Sequence, residues 1–225
     1  MGRQYWKAAN LLNPVPCVLI SCRDTDGKEN IMTAAWCGTV CSDPVMVSVS
    51  IKKNRYSHDF IVHSREFVIN LVSADMVKAA DFVGIRSGRN IDKFHLNGDL
   101  RLTRMDSEKV MAPSIAESPL CLECVVRQIL ELGSHDMFVA EVVSLSVDER
   151  ILDEKGSLHL EKADLIAYSH GEYYALGRKL GKFSYSTHKE EKIRTRESIN
   201  REKRAVAKKT EICKHENKKQ GVKGV

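Results

Sequence analysis

Apolar and polar positions alternate most clearly at residues 47–52, where Val47, Val49 and Ile51 interleave with Ser48, Ser50 and Lys52. That period of two predicts a half-buried antiparallel strand. A second strand-like run, Asn30 to Trp36, carries small residues and one tryptophan, and a turn at Asp43-Pro44 is expected between the two runs. Upstream, Asn13-Pro-Val-Pro16 favours extended backbone because each proline disfavours helix in its predecessor, and it opens a strand at Cys17 to Cys22. Asp24-Thr-Asp-Gly27 turns that strand back into the 30s run as a hairpin. Further strands are predicted at 66–72, 120–132, 137–148, 164–168 and 172–176. Two short helices are predicted, 58–64 with Ser57 as N-cap and 74–83 with Ser73 as cap. Seven or eight antiparallel segments with few long helices suit a mainly β, small closed barrel better than a doubly wound parallel sheet.

The strand leaving through Lys53-Asn54-Arg55-Tyr56 into a helix at Ser57 carries candidate chemistry. A helix N-terminus offers backbone N–H donors and partial positive charge, and an arginine two residues ahead of the serine adds a guanidinium fork, so a small anion such as phosphate is the natural guest. The same residues also suit a plain capping serine and a solvated arginine. In the preceding strand, Ala34 and Ala35 leave backbone groups open to a flat ring, with Trp36 along its edge. No GxGxxG follows a strand, so a dinucleotide site of the Rossmann kind is not expected. Cys121-Leu-Glu-Cys124 has CxxC spacing, but in a strand the two side chains point to opposite faces, and no second pair completes a zinc site; no metal is expected.

The stretch NIMTAAWCGTVCSDPVMVSVSIKKNRYSHDFI resembles the signature region of the FMN-binding split-barrel family, the flavin reductases and flavoredoxins. Similarity continues through Glu66 to Leu71, Ser87-Gly-Arg-Asn-Ile-Asp-Lys-Phe94, Gly133-Ser-His135 and Tyr168 to Phe183, covering roughly residues 10 to 185. The resemblance implies a Greek-key-like split β-barrel working as a homodimer, with FMN at the subunit boundary. It places Arg55, Tyr56 and Ser57 at the phosphate. Asn30, Met32 and the Thr33-Ala34-Ala35 backbone would meet the ring and its polar edge, Trp36 and Tyr168 would wall it, and Lys93 would stand nearby. His135, expected at the tip of the 133–136 turn, would border the open face where a hydride donor stacks and is the one catalytic candidate. The usual family form there is Gly-Asp-His, and Ser134 removes the carboxylate that would tune the imidazole.

Composition narrows the picture further. With 225 residues and 43% hydrophobic content the chain is long enough for one domain with a full core. No segment approaches the ~20 apolar residues that cross a bilayer, so a soluble, cytoplasmic protein is expected. Seven cysteines, an odd number lying mostly in strand-like runs, read as reduced core thiols. From Thr187 to Val225, 13 basic residues stand against 6 acidic, while the body holds 22 against 24, so the net charge of +5 comes from the tail. The expected division is therefore an FMN-binding domain at 1–186 and a basic, charged extension at 187–225, helical or disordered, with capping-box form at Thr187 to Glu190. A nucleic-acid role for the tail is not favoured, since no aromatic residue follows Tyr185.

These readings converge on an FMN-containing oxidoreductase passing reducing equivalents from NADH or NADPH to free flavin or a protein acceptor. A flavoredoxin-like electron carrier fed by another redox protein is the alternative within the fold. A non-redox module acting through its basic tail is the alternative outside it.

Overall fold

The computed structural model describes residues 2–186 and 199–201. The chain divides into two compact units, residues 1–176 and 177–225.

In the first unit, β1 (Val15–Pro16), β2 (Val18–Arg23), β3 (Glu29–Ala34), β4 (Cys37–Ser42) and β5 (Val45–Lys52) precede helix α1 (Tyr56–Ser64). Then come β6 (Glu66–Leu71), α2 (Val77–Ile85), β7 (Arg104–Met105), β8 (Ser114–Ile115), β9 (Leu120–Glu131), β10 (His135–Val147), β11 (Ile166–Ser169) and β12 (Glu172–Ala175). The main sheet has seven strands in the order β3-β2-β6-β9-β10-β5-β4, and every neighbouring pair is antiparallel. The connection from β5 through α1 to β6 passes over β10 and β9, which gives the sheet its Greek-key character. Two small sheets, β1-β11-β12 and β7-β8, complete the described β structure.

The period of two sorts the side chains. Val18, Ile20 and Cys22 of β2, Met32 and Ala34 of β3, Val47, Val49 and Ile51 of β5, and Phe138 and Ala140 of β10 meet in one core. Strands from the whole width of the sheet therefore fill a single interior, as in a barrel, and Phe60 and Ile61 of α1 join that interior. The alternate residues Leu19 and Ile31 belong to a second cluster with Ala79, Ala80 and Val83 of α2. Cys124 lies in the barrel interior and Cys121 in a third cluster with Val68, so the CxxC cysteines do face opposite ways across β9.

The structure departs from the sequence expectations at several elements. The 30s run ends at Ala34, and an additional strand, β4, pairs with β5 at the far edge of the sheet. Ser73 makes no capping bond: it forms an isolated antiparallel bridge with Leu165, and a short 3-10 turn, Ala74–Met76, precedes α2. His135 is the first residue of β10, paired with Lys52, and not the tip of the preceding turn. In the second unit, residues 177–183 are exposed irregular chain; the expected capping box at 187–190 lies outside the described residues. No helix among the described residues is long and apolar enough to cross a membrane.

Candidate functional site

The barrel brings β3, the β5–α1 turn and the segment after α2 to one place. Arg55 is the N-cap of α1, with extended backbone (φ −70, ψ 136) and no side-chain capping bond. Ser57 is thus not the cap. It is the second helical residue, fully buried, and its hydroxyl accepts from the Asn30 side-chain amide at 2.7 Å. The partner lies across the fold on β3, so the serine's bond is tertiary and not the local bond of a cap. The first-turn N–H groups of Tyr56 and Ser57 have no acceptor within the helix.

Arg55 Nη1 donates to the Gly84 carbonyl at 2.7 Å, tying the start of α1 to the last turn of α2. Lys93 is only 4% exposed. Its ammonium donates to the Ile31 carbonyl on β3 at 2.7 Å and to the Val83 carbonyl on α2 at 2.8 Å. Burial, and secondarily the charge of Arg55, push the Lys93 pKa down to about 8.

Two cavities open around Arg55. The first, about 260 Å³, is lined by Asn30, Met32, Tyr56, Ser57 and four cations, Lys52, Arg55, Arg86 and Lys93; no carboxylate is among the described lining residues. Asn54, Ser87 and Gly88 add polar groups to its wall. The second, about 270 Å³, is bounded by Thr33, Ala34, Ala35, Gly84, Tyr168 and Tyr173, and it shares Arg55 and Ile85 with the first. Each alone falls just short of the ~300–1,000 Å³ usual for small-ligand sites. Tyr168 meets Tyr173 edge-on with ring centroids 5.4 Å apart, and Tyr173 donates its hydroxyl proton to Asp81 at 3.0 Å. Thr33 donates to the Ala80 carbonyl, which anchors β3 to α2.

Trp36 and His135 border neither cavity. Their ring centroids lie 4.6 Å apart with the planes tilted by 39°, and Trp36 is 45% exposed, on the β4–β10 side of the barrel. Burial, and then Lys52, hold the His135 pKa below its usual value, and the Ser134 hydroxyl hydrogen-bonds Nδ1 at 2.9 Å. The predicted residues therefore fall into three groups: Asn30, Met32, Arg55, Tyr56, Ser57 and Lys93 in the cationic cavity; Thr33, Ala34, Ala35 and Tyr168 in the second; and Trp36 with His135 apart.

Sequence reasoning passed over several residues. Lys52 and Arg86 supply half of the cations, and their helix- and strand-end positions gave only a weak signal. Gly88 packs so tightly that a Cβ there would stand 2.1 Å from Asn30 Oδ1 and 2.8 Å from Tyr56 Cδ1. A buried pair also went unseen: His58 Nε2 lies 2.8 Å from Asp136, with Nδ1 3.0 Å from Asp59. Lys53 reaches the other Asp136 oxygen at 3.3 Å. This pair joins the first turn of α1 to the start of β10.

The architecture is a split β-barrel. Residues 11–177 match the flavin reductase like domain, and the chain belongs to that family of flavin-related oxidoreductases. Among solved structures, flavoredoxin of Desulfovibrio vulgaris (Miyazaki F) is 35% identical, with a TM-score of 0.75 over 82% of this chain and 100% of its own. Flavoredoxin from Methanosarcina acetivorans is 28% identical, with a TM-score of 0.74 over 83% of this chain and 100% of its own. Among curated relatives, an uncharacterised protein of Archaeoglobus fulgidus is 33% identical over 132 residues, 59% of this chain and 73% of that protein. The family implies a bound flavin, and a donor set of four cations without a described carboxylate fits an anionic group on it.

Proposed function

We propose that the chain binds FMN and carries electrons from NADH or NADPH to free flavin or a redox protein. One observation supports this above the others: the cationic cavity at the start of α1 meets the second cavity at Arg55, so an anionic tail and a flat ring have adjoining places. Arg55, Lys93, Ser57 and the first-turn amides take the phosphate, where the helix N-terminus adds its own partial charge. Asn30 fixes the Ser57 hydroxyl, and Met32 lines the same cavity. The Thr33-Ala34-Ala35 backbone and Tyr168 hold the ring, with Thr33 and Ala34 laddered to β2 and Tyr168 to β1. FMN, when bound, accepts a hydride and yields electrons one or two at a time. The chain's tasks are to orient it and to choose what reaches its open face. His135, its pKa lowered by burial and then by Lys52 and its ring set against Trp36, is the residue that receives the nicotinamide.

A second reading, a flavoredoxin-like carrier that does not use nicotinamide, draws support from the 35% identity to flavoredoxin. Under either reading residues 1–186 make the flavin domain, 187–225 a charged extension, and the working form is a homodimer, for which the exposed Trp36, Val40 and Val45 around β4 offer apolar surface. Light scattering measures that state directly.

Anaerobic titration of FMN-reconstituted protein with NADH and then NADPH separates the readings. Bleaching of the oxidised-flavin band by either nucleotide is the expected result. A yellow protein bleached only by dithionite is the carrier, and a protein that never becomes yellow is not a flavoprotein.

A further inference from the structure

The two cavities that meet at Arg55 differ in charge. The first has four cations and no carboxylate among its described lining residues, whereas the second carries one carboxylate, Asp81, beside the shared Arg55. A ligand lying across both has its anionic end among cations and its other end against an acid.

Helical spacing puts the acid there. Asp81, Gly84 and Ile85 share one face of α2 and line the second cavity, while Ala79, Ala80 and Val83 are buried in the core. An exposed aspartate on a helix ordinarily moves freely in water. Here the Tyr173 hydroxyl donates to Asp81 Oδ1 at 3.0 Å and holds it. Tyr173 is itself fixed, since on β12 it pairs directly with Tyr168 of β11 and the two rings meet edge-on with centroids 5.4 Å apart.

The charge of this carboxylate is left uncompensated. Burial, and then Asp81, push the Tyr173 phenol above its usual pKa, so the proton stays on the phenol and the negative charge on the carboxylate. Arg55 is committed to the Gly84 carbonyl and to the first cavity. Among the described residues Asp81 has no ion pair.

We propose that Asp81, held in place by Tyr173, lowers the reduction potential of the flavin ring. The inference rests on the reading that the second cavity receives that ring. A hydride from NADH or NADPH brings two electrons and one proton, and the nucleotide leaves oxidised, so one negative charge stays on the ring until a second proton arrives from water. A carboxylate fixed at the same cavity repels that charge. Cations alone would hold it, and the acid offsets them, so electrons pass onward more readily to a flavin or a redox protein. Tyr173 is the positioning residue, because its hydroxyl is what keeps the carboxylate at the cavity.

The test is equilibrium reductive titration of the FMN-loaded full chain against a reference dye, for the wild type, Asp81→Asn, Asp81→Glu and Tyr173→Phe. Asparagine keeps the shape and an acceptor for Tyr173 but removes the charge. The ratio of reduced to oxidised flavin at a given potential should rise about three- to tenfold, which is about 15 to 30 mV for a two-electron couple. Glutamate keeps the charge and should stay within about twofold of wild type. Tyr173→Phe should shift the ratio in the same direction as asparagine, and adding it to Asp81→Asn should change nothing further, because it acts through the carboxylate. An additive shift overturns the positioning role of Tyr173. No rise in Asp81→Asn, or an equal rise in Asp81→Glu, overturns the proposal while leaving FMN bound. A chain that takes up no FMN overturns the flavin reading itself, and this inference with it.

Discussion

The Asn30 side-chain amide donates to the Ser57 hydroxyl at 2.7 Å, joining β3 to the first turn of α1 with both residues buried. Removal of either partner strands the other polar group away from water. Asn30→Ala and Ser57→Ala should each destabilise the protein by about 1–3 kcal/mol, and the double variant by clearly less than their sum. Urea midpoints of the four proteins measure this coupling; simple additivity would show that the bond contributes nothing.

Arg55→Ala combined with Ser57→Ala removes two of the groups assigned to the phosphate. FMN affinity should fall by roughly 10². Riboflavin, which lacks the phosphate, provides the control in the same fluorescence titration, and should lose much less. Equal loss for the two ligands would assign these residues to the ring or to folding.

Gly88→Ala forces a methyl group against Asn30 Oδ1, which stands 2.1 Å from the required Cβ position. The loop must move away from β3, and FMN binding should weaken about tenfold or more while the barrel's circular dichroism is retained. Gly38→Ala, where nothing lies within 4 Å of the added Cβ, should leave FMN binding unchanged.

Lys93 makes two quantities depend on pH. Its pKa in the fold, about 8, lies below the ordinary 10.5 because burial penalises the ammonium. Between these values the unfolded chain binds more protons, so the Lys93 contribution makes stability rise as pH climbs through that window. The flavin phosphate acts oppositely on the site: an anion beside Lys93 favours its charged form, so above about pH 8 binding takes up a proton. The Kd for FMN should then rise with pH, by at most about tenfold per unit. Fluorescence titration at pH 7 and 9.5 should show the rise in wild type and its absence in Lys93→Met.

His135→Ala should slow reduction by NADH or NADPH by about tenfold or more while changing FMN affinity little, because His135 borders neither cavity assigned to the cofactor. Stopped-flow reduction and equilibrium binding on the same preparation separate the effects. A variant that loses FMN and keeps its reduction rate would make His135 a cofactor-holding residue.

Much of the barrel was legible where the pattern is local. The alternation of β5 and the Asp24 to Gly27 turn between β2 and β3 appear in the structure as the sequence predicts them. β4 was not legible because Cys37–Ser42 is an edge strand with little burial, so no apolar period marks it. The candidate site was legible in its membership and illegible in its partnerships. Ser57 looks like a cap until Asn30, distant in sequence, is placed against it, and Lys93 looks like any solvated lysine until two carbonyls from β3 and α2 enclose its ammonium. Such environments are made by long-range packing, which single-residue preferences do not carry.

The buried contact between His58 and Asp136 fastens the turn that starts with Arg55 to the strand that starts with His135. The two ends of the site are held together by this contact, by the Lys53–Asp136 ion pair and by the pairing of His135 with Lys52, and do not drift independently. A natural variant that loosens one end will arrive with the other already displaced, so this family's sequence changes around the two ends should be inherited together, and swapping either end alone between relatives should fail more often than swapping both.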